Sequence, residues 1–170
     1  DARRKATMMM YGDKYDYFWV DKGGLDYNEF AVNKAEYESA VGSNEVKHIV
    51  GNDNDHVIGI GHSMDRMATS LSTHLLRLAD VYLIYAEAVI GNNGSTTDAS
   101  AVKAFNDVRG RSVQGYTPKT SITWQDVWKE RRLELACEGD RWYDYVRWHY
   151  YEPAKAIAEL KGQRRNAYNG

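Results

Sequence analysis

Three glutamates, Glu130, Glu134 and Glu138, recur at four-residue intervals within WQDVWKERRLELACEGDRWYDYVRW, the stretch from Trp124 to Trp148. Carboxylates at that spacing share one side of a helix, the arrangement a paired acid and base would need. The same stretch carries Arg131, Arg132, Arg141 and Arg147. Neighbouring guanidinium groups hold carboxylates ionised, the wrong state for a general acid. On a helical wheel Trp124, Val127, Trp128 and Leu135 form one apolar stripe, and Arg131 projects from within it. An arginine there must be paired, because an isolated buried charge is very costly. Glu134, three residues on, is its expected partner. The segment therefore reads as an ionic network fastening a helix to its neighbours, in preference to a glycosidase-like pair of carboxylates.

A second group suits recognition. Tyr15, Asp16, Tyr17 and Trp19 lie in YDYFW, inside a glycine-rich and irregular first third. Sugars stack their C–H faces on flat aromatic rings, and a nearby carboxylate accepts from their hydroxyls. These four are the candidate ligand-binding residues, against the reading that YDYFW is a short strand with rings packed inward. Trp142, Tyr143, Tyr145, Trp148, Tyr150 and Tyr151 are also dense, but their helical spacing reads as core and helix interface. Asn52-Asp53-Asn54-Asp55-His56 offers closely spaced oxygens yet lacks the glycine and distal glutamate of a calcium loop, so it reads as a polar turn. Histidines 48, 56, 62, 74 and 149 have no metal-ligand spacing, and the glycines around Gly59-Ile-Gly61-His-Ser63 do not enclose a nucleophilic serine. No cofactor or metal is expected.

The elements that must position these groups divide the chain. Residues 1–71 read as a loop-rich segment with weak strands at Tyr15–Val20 and Val46–Val50 and a turn or two of helix over Ala31–Val41. Residues 72–170 read as helical. Leu75–Ile90 is apolar around most of its circumference, so burial on more than one side is expected, with Ala79 and Ala86 allowing close helix approach. Asp98 caps a half-exposed helix to about Arg109, completing a helix pair. Thr123-Trp-Gln-Asp126 has the form of a capping box opening a helix to about Glu138, with Cys137 inside it. Gly139 breaks that helix, another runs from Asp140 to about Trp148, and Pro153 opens a last one over Ala154–Lys161 before a polar tail. The net charge of −2 gives no general attraction to nucleic acid. The apolar run around Val81–Tyr85 is too short to span a bilayer.

Three ordered blocks carry a family resemblance: LRLADVYLIYAEA (Leu76–Ala88), AVKAFNDVRGR (Ala101–Arg111) and WKERRLELACEGDRWYDYVRW (Trp128–Trp148). With the opening DARRKATMM, they make the chain similar to the C-terminal part of the SusD/RagB family over essentially its whole length. The resemblance implies a mostly α fold of tetratricopeptide-like helix pairs with long loops and a few short strands. It implies a non-enzymatic, cell-surface lipoprotein of the outer membrane. Such a protein captures oligosaccharide or polysaccharide for a SusC-like TonB-dependent porin, and its lipid anchor is absent from this chain. On this reading the chain is a piece of a longer protein. The alternative is a helical-repeat scaffold that binds only protein.

Overall fold

The computed structural model describes residues 1–28, 43–61, 63 and 71–163. The helix expected over Ala31–Val41 and most of the polar tail lie outside them. The chain forms two compact units, Ala2–Leu75 and Leu76–Gly170, the latter joined by Asp1.

The first unit is a small mixed assembly. A short helix α1 (Arg3–Thr7) leads into β1 (Met8–Met10), which pairs antiparallel with β4 (Ser43–Glu45), Met8 opposite Glu45 and Met10 opposite Ser43. Between them, β2 (Lys14–Tyr15) pairs antiparallel with β3 (Leu25–Asp26). A helix α2 (Asp53–Ile60) follows. Alternation along β1 sends Met9 inward and leaves Met8 and Met10 exposed. Met9, Tyr15, Phe18, Leu25, Tyr27 and Val46 make the core.

Two expected strands are displaced. Extension from Tyr15 ends at once, because Trp19 takes a left-handed φ of 54° and begins a 3-10 turn over Val20–Lys22. The strand expected at Val46–Val50 lies earlier, at Ser43–Glu45, and His48, with φ of 66°, interrupts any extension beyond it.

The second unit is helical: α3 (Leu78–Ile90), α4 (Ala99–Gly110), α5 (Trp124–Glu134), α6 (Asp140–Tyr151) and α7 (Pro153–Gly162). Two-residue strands β5 (Ser95–Thr96) and β6 (Ile122–Thr123) pair antiparallel and tie the entries of α4 and α5 together. Capping chemistry fixes the starts. The Asp98 carboxylate accepts from the N–H groups of Ser100 at 3.0 Å and Ala101 at 2.9 Å. The Thr123 hydroxyl accepts from the Asp126 N–H at 3.1 Å, and the Asp126 carboxylate accepts in return from the Thr123 N–H at 3.0 Å. Pro153 occupies the first turn of α7.

α3 packs on α4 and α5, and α6 on α7. Ala79, Leu83, Ala86 and Ile90 of α3 meet Ala101, Val102, Phe105 and Val108 of α4, with Ile122 and Val127 closing the cluster. A second cluster joins Trp128, Tyr145, Trp148 and Ala156, and Trp124 packs against both. With seven α-helices and strands of two or three residues among the described elements, the fold is mostly α, built on helix pairs.

Three expectations change here. α3 begins at Leu78, since Arg77 is extended at φ −137°. Its burial is one-sided: Leu78, Val81, Ile84 and Tyr85 are exposed, because α4 and α5 cover only the Ala79–Leu83–Ala86 face. And α5 ends at Glu134, four residues early. Leu135 leaves helical geometry at ψ 17°, and Cys137 stands exposed in the following turn with φ of 64°.

Candidate functional site

Glu130, Glu134 and Glu138 of the helical unit are each bound to arginine. Arg77, just before α3, donates to Glu134 at 2.5 Å and through Nε to Glu138 at 2.7 Å. Arg111 also binds Glu134, and Arg109 donates to Glu130 at 2.5 Å. Burial works against the Arg77 charge, but the Glu138 and Glu134 carboxylates outweigh it and raise its pKa. The early end of α5 is part of this arrangement: the turn after Glu134 carries Glu138 to the Arg77 guanidinium.

Arg131 is buried as its place in the apolar stripe demands, yet its partners are not Glu134. Its Nε donates to Asp144 of α6 at 2.8 Å, and its Nη1 to Asp80 of α3 at 2.5 Å. A helix-internal partner three residues on would have left the guanidinium pointing along α5. Reaching across instead joins three helices at one group. Arg147 extends the network, donating to both Glu87 oxygens at 2.9 and 3.1 Å and to Asp144 at 2.9 Å. The Arg141 guanidinium lies over the Trp128 ring, 3.7 Å from its centroid. Glutamates bound by arginine in this way are fastenings between helices.

In the first unit the four candidate recognition residues separate. Tyr15 is 1% exposed. Its hydroxyl donates to the Lys5 carbonyl at 2.9 Å, and burial with the nearby Asp13 charge pushes the phenol pKa up. It cannot present a ring face to a ligand; it is the floor on which the loop packs. Asp16 is exposed, and Tyr17 is 59% exposed. The Tyr17 ring is braced 4.7 Å from Phe18 and edge-on to Tyr15 at 5.7 Å. Trp19 is half-buried against the core, with the Lys22 ammonium 4.5 Å from its ring centroid. The surface offered by the loop is thus Asp16, Tyr17 and the outer part of Trp19, beside a lysine.

What holds this loop was read from sequence as a polar turn. Asn52–His56 is instead the start of α2, closed by a capping box in which the Asn52 side chain accepts from the Asp55 N–H at 3.0 Å. The Asp55 carboxylate accepts from the backbone N–H groups of Trp19 at 2.6 Å, Val20 at 3.0 Å and Asn52 at 2.9 Å. Burial works to raise the Asp55 pKa, but these three donors outweigh it and hold the carboxyl below the usual carboxylate range. One buried carboxylate thereby fixes the left-handed backbone at Trp19. Gly51 makes room for it: a Cβ there would stand 2.0 Å from the Asp55 carboxylate. Asn52 Nδ2 adds a bond to Asp21 at 2.7 Å. Among the described residues no group of histidine, cysteine and carboxylate side chains is placed to hold a metal.

The six aromatics between Trp142 and Tyr151 also divide. Tyr145 and Trp148 are core, as expected, but Trp142, Tyr143, Tyr150 and Tyr151 are 63–82% exposed.

A helix-pair scaffold fastened by arginine–carboxylate pairs, joined to a small unit that displays an aromatic loop, defines the class of architecture. The chain belongs to the SusD/RagB family: the sequence profile of the SusD family matches residues 1–169. It is 37% identical over 163 residues to a SusD-like protein of Bacteroides ovatus, covering 96% of this chain and 27% of that one. A crystal structure with a xylogluco-oligosaccharide superposes with a TM-score of 0.77 at 35% identity, over 95% of this chain and 30% of the other. A second crystal structure gives a TM-score of 0.76, also at 35% identity, over 94% and 28%. The chain therefore spans less than a third of the length of these relatives.

Proposed function

We propose that this chain is the C-terminal portion of a cell-surface glycan-binding protein. That protein captures oligosaccharide or polysaccharide and passes it to a SusC-like TonB-dependent porin at the outer membrane, where it is held as a lipoprotein. The observation that carries this reading is the structural likeness to a chain crystallised with a xylogluco-oligosaccharide. Within the chain, Tyr17 and Trp19 supply ring faces, Asp16 supplies a hydroxyl acceptor, and Tyr15 serves as their buried support. The role is binding without turnover, in keeping with Glu130, Glu134 and Glu138 each being bound to an arginine. Native electrophoresis through gels containing xyloglucan or another neutral polysaccharide tests it. Retarded migration relative to a polysaccharide-free gel is the expected outcome. Unchanged mobility in every polysaccharide sinks the reading for this chain.

One observation favours a second reading, a scaffold that binds protein alone. Leu78, Val81, Ile84 and Tyr85 line an exposed apolar face on α3. On that reading glycans leave mobility unchanged, and a charge placed at Ile84 abolishes binding to the protein partner.

A further inference from the structure

We infer a second carbohydrate-binding cleft, in the helical unit and independent of the Tyr17–Trp19 loop. Where α3 ends, α5 begins and α6 gives way to α7, the chain encloses a cleft of about 670 Å³. That volume falls within the range of small-ligand sites, about 300–1,000 Å³. Trp124, Trp148 and Tyr151 give it aromatic surface, and Gln125 lies on its rim. The aromatic wall is rigid. Trp124 stacks on Trp128 with 5.1 Å between centroids and 17° between planes, and lies 5.1 Å from Trp148. The Trp124 N–H donates to the Gly94 carbonyl at 2.9 Å, which fixes the start of α5 against the turn after α3.

The charges in the cleft decide the ligand class. Glu87 and Arg147 face each other through two hydrogen bonds, at 2.9 and 3.1 Å. Glu152 accepts from the Trp148 indole N–H at 3.0 Å and from the Lys155 ammonium at 2.5 Å. Two carboxylates and two cations, paired locally, leave no net field for an anion or a cation to follow. They do leave oriented acceptors and donors beside flat rings. A neutral, hydroxyl-rich ligand with apolar C–H faces satisfies both, which is the chemistry of a neutral oligosaccharide. Tyr151, 66% exposed at the end of α6, is placed to close over such a ligand from the rim.

Isothermal titration of the whole chain tests this with xylogluco-, malto- and manno-oligosaccharides, and with oligogalacturonate as an anionic comparison. The variants are Tyr151→Ala and Gln125→Ala, both on exposed residues, beside Tyr17→Ala in the loop. The expected result is a neutral oligosaccharide whose affinity falls by about tenfold or more in Tyr151→Ala. The Tyr151-dependent component of the titration persists in Tyr17→Ala, which weakens only the loop site, with unchanged circular dichroism throughout. Binding lost only in Tyr17→Ala overturns the cleft and leaves the loop site standing. Binding lost only in the rim variants leaves the cleft and removes the loop. Preference for oligogalacturonate, or no binding by the wild-type chain, overturns the cleft.

Discussion

Replacing Arg131 with methionine should destabilise the helical unit through the carboxylates it leaves behind. Methionine keeps the length and apolar body of the side chain, so the packing of α5 is largely retained. What is lost is a guanidinium 5% exposed, bound to Asp80, itself 10% exposed, and to Asp144, 2% exposed. Breaking a buried ion pair by removing one partner costs about 3–5 kcal/mol. Asp144 keeps Arg147 at 2.9 Å, so the loss falls mainly on Asp80 and the lower end of that range, about 3 kcal/mol, is expected. For a chain of this size each kcal/mol shifts the melting temperature by about 2–4 °C, giving a fall of about 6–12 °C. Thermal unfolding followed by circular dichroism reads it. Pairing Arg131→Met with Asp80→Asn should restore part of the loss, because the stranded charge is then gone. A single variant that melts with the parent, or a double variant worse than the sum of the singles, would refute the buried-network argument.

The other predictions concern the loop clamp and the core. Asp55→Asn replaces a carboxylate that gathers three N–H groups with an amide that cannot satisfy them all; a loss of about 1–3 kcal/mol is expected in urea unfolding. Gly51→Ala should match or exceed it, since its Cβ falls on the Asp55 carboxylate and its φ of 82° disfavours any side chain; unfolding no easier than the parent would contradict the clamp. Asp55 and Asp13 both titrate below their unfolded values, Asp13 chiefly through its hydrogen bond from Arg4. Their contribution is therefore complete above about pH 4–5 and is lost as the pH falls further; a midpoint in urea insensitive to pH between about 5 and 3 would rule it out. Leu83→Ala, at the centre of the α3–α4 contact and fully buried, should lose about 2–5 kcal/mol in the same assay.

The helical unit was legible where local chemistry decides. Asp98, Thr123–Asp126 and Pro153 marked real boundaries because caps act over three or four residues, whereas Gly139, expected to break α5, instead precedes the first residue of α6. The Arg131 argument predicted burial and pairing correctly from the apolar stripe, but named Glu134. Partners on other helices, Asp80 and Asp144, are set by packing that no single-helix wheel contains. The end of α5 failed for the same reason: Glu138 is pulled out of the helix by Arg77, 61 residues away in sequence. One-sided burial of α3 was hidden because apolar character does not say which faces find neighbours. In the loop, a weak strand was expected through Tyr15–Val20. The winning contact was Asp55, whose aspartate-rich surroundings looked like a polar turn. The cleft beside Trp124 escaped notice because its lining comes from the ends of four helices, each unremarkable alone.

The central claim is that this chain holds a neutral glycan on aromatic surface. Calorimetric titration of the wild-type chain with a xylogluco-oligosaccharide and other neutral oligosaccharides tests it most directly. The account predicts saturable, enthalpy-driven binding to at least one of them, insensitive to salt because no ligand charge is involved. The absence of heat across the panel, or binding that vanishes with added salt, would contradict it.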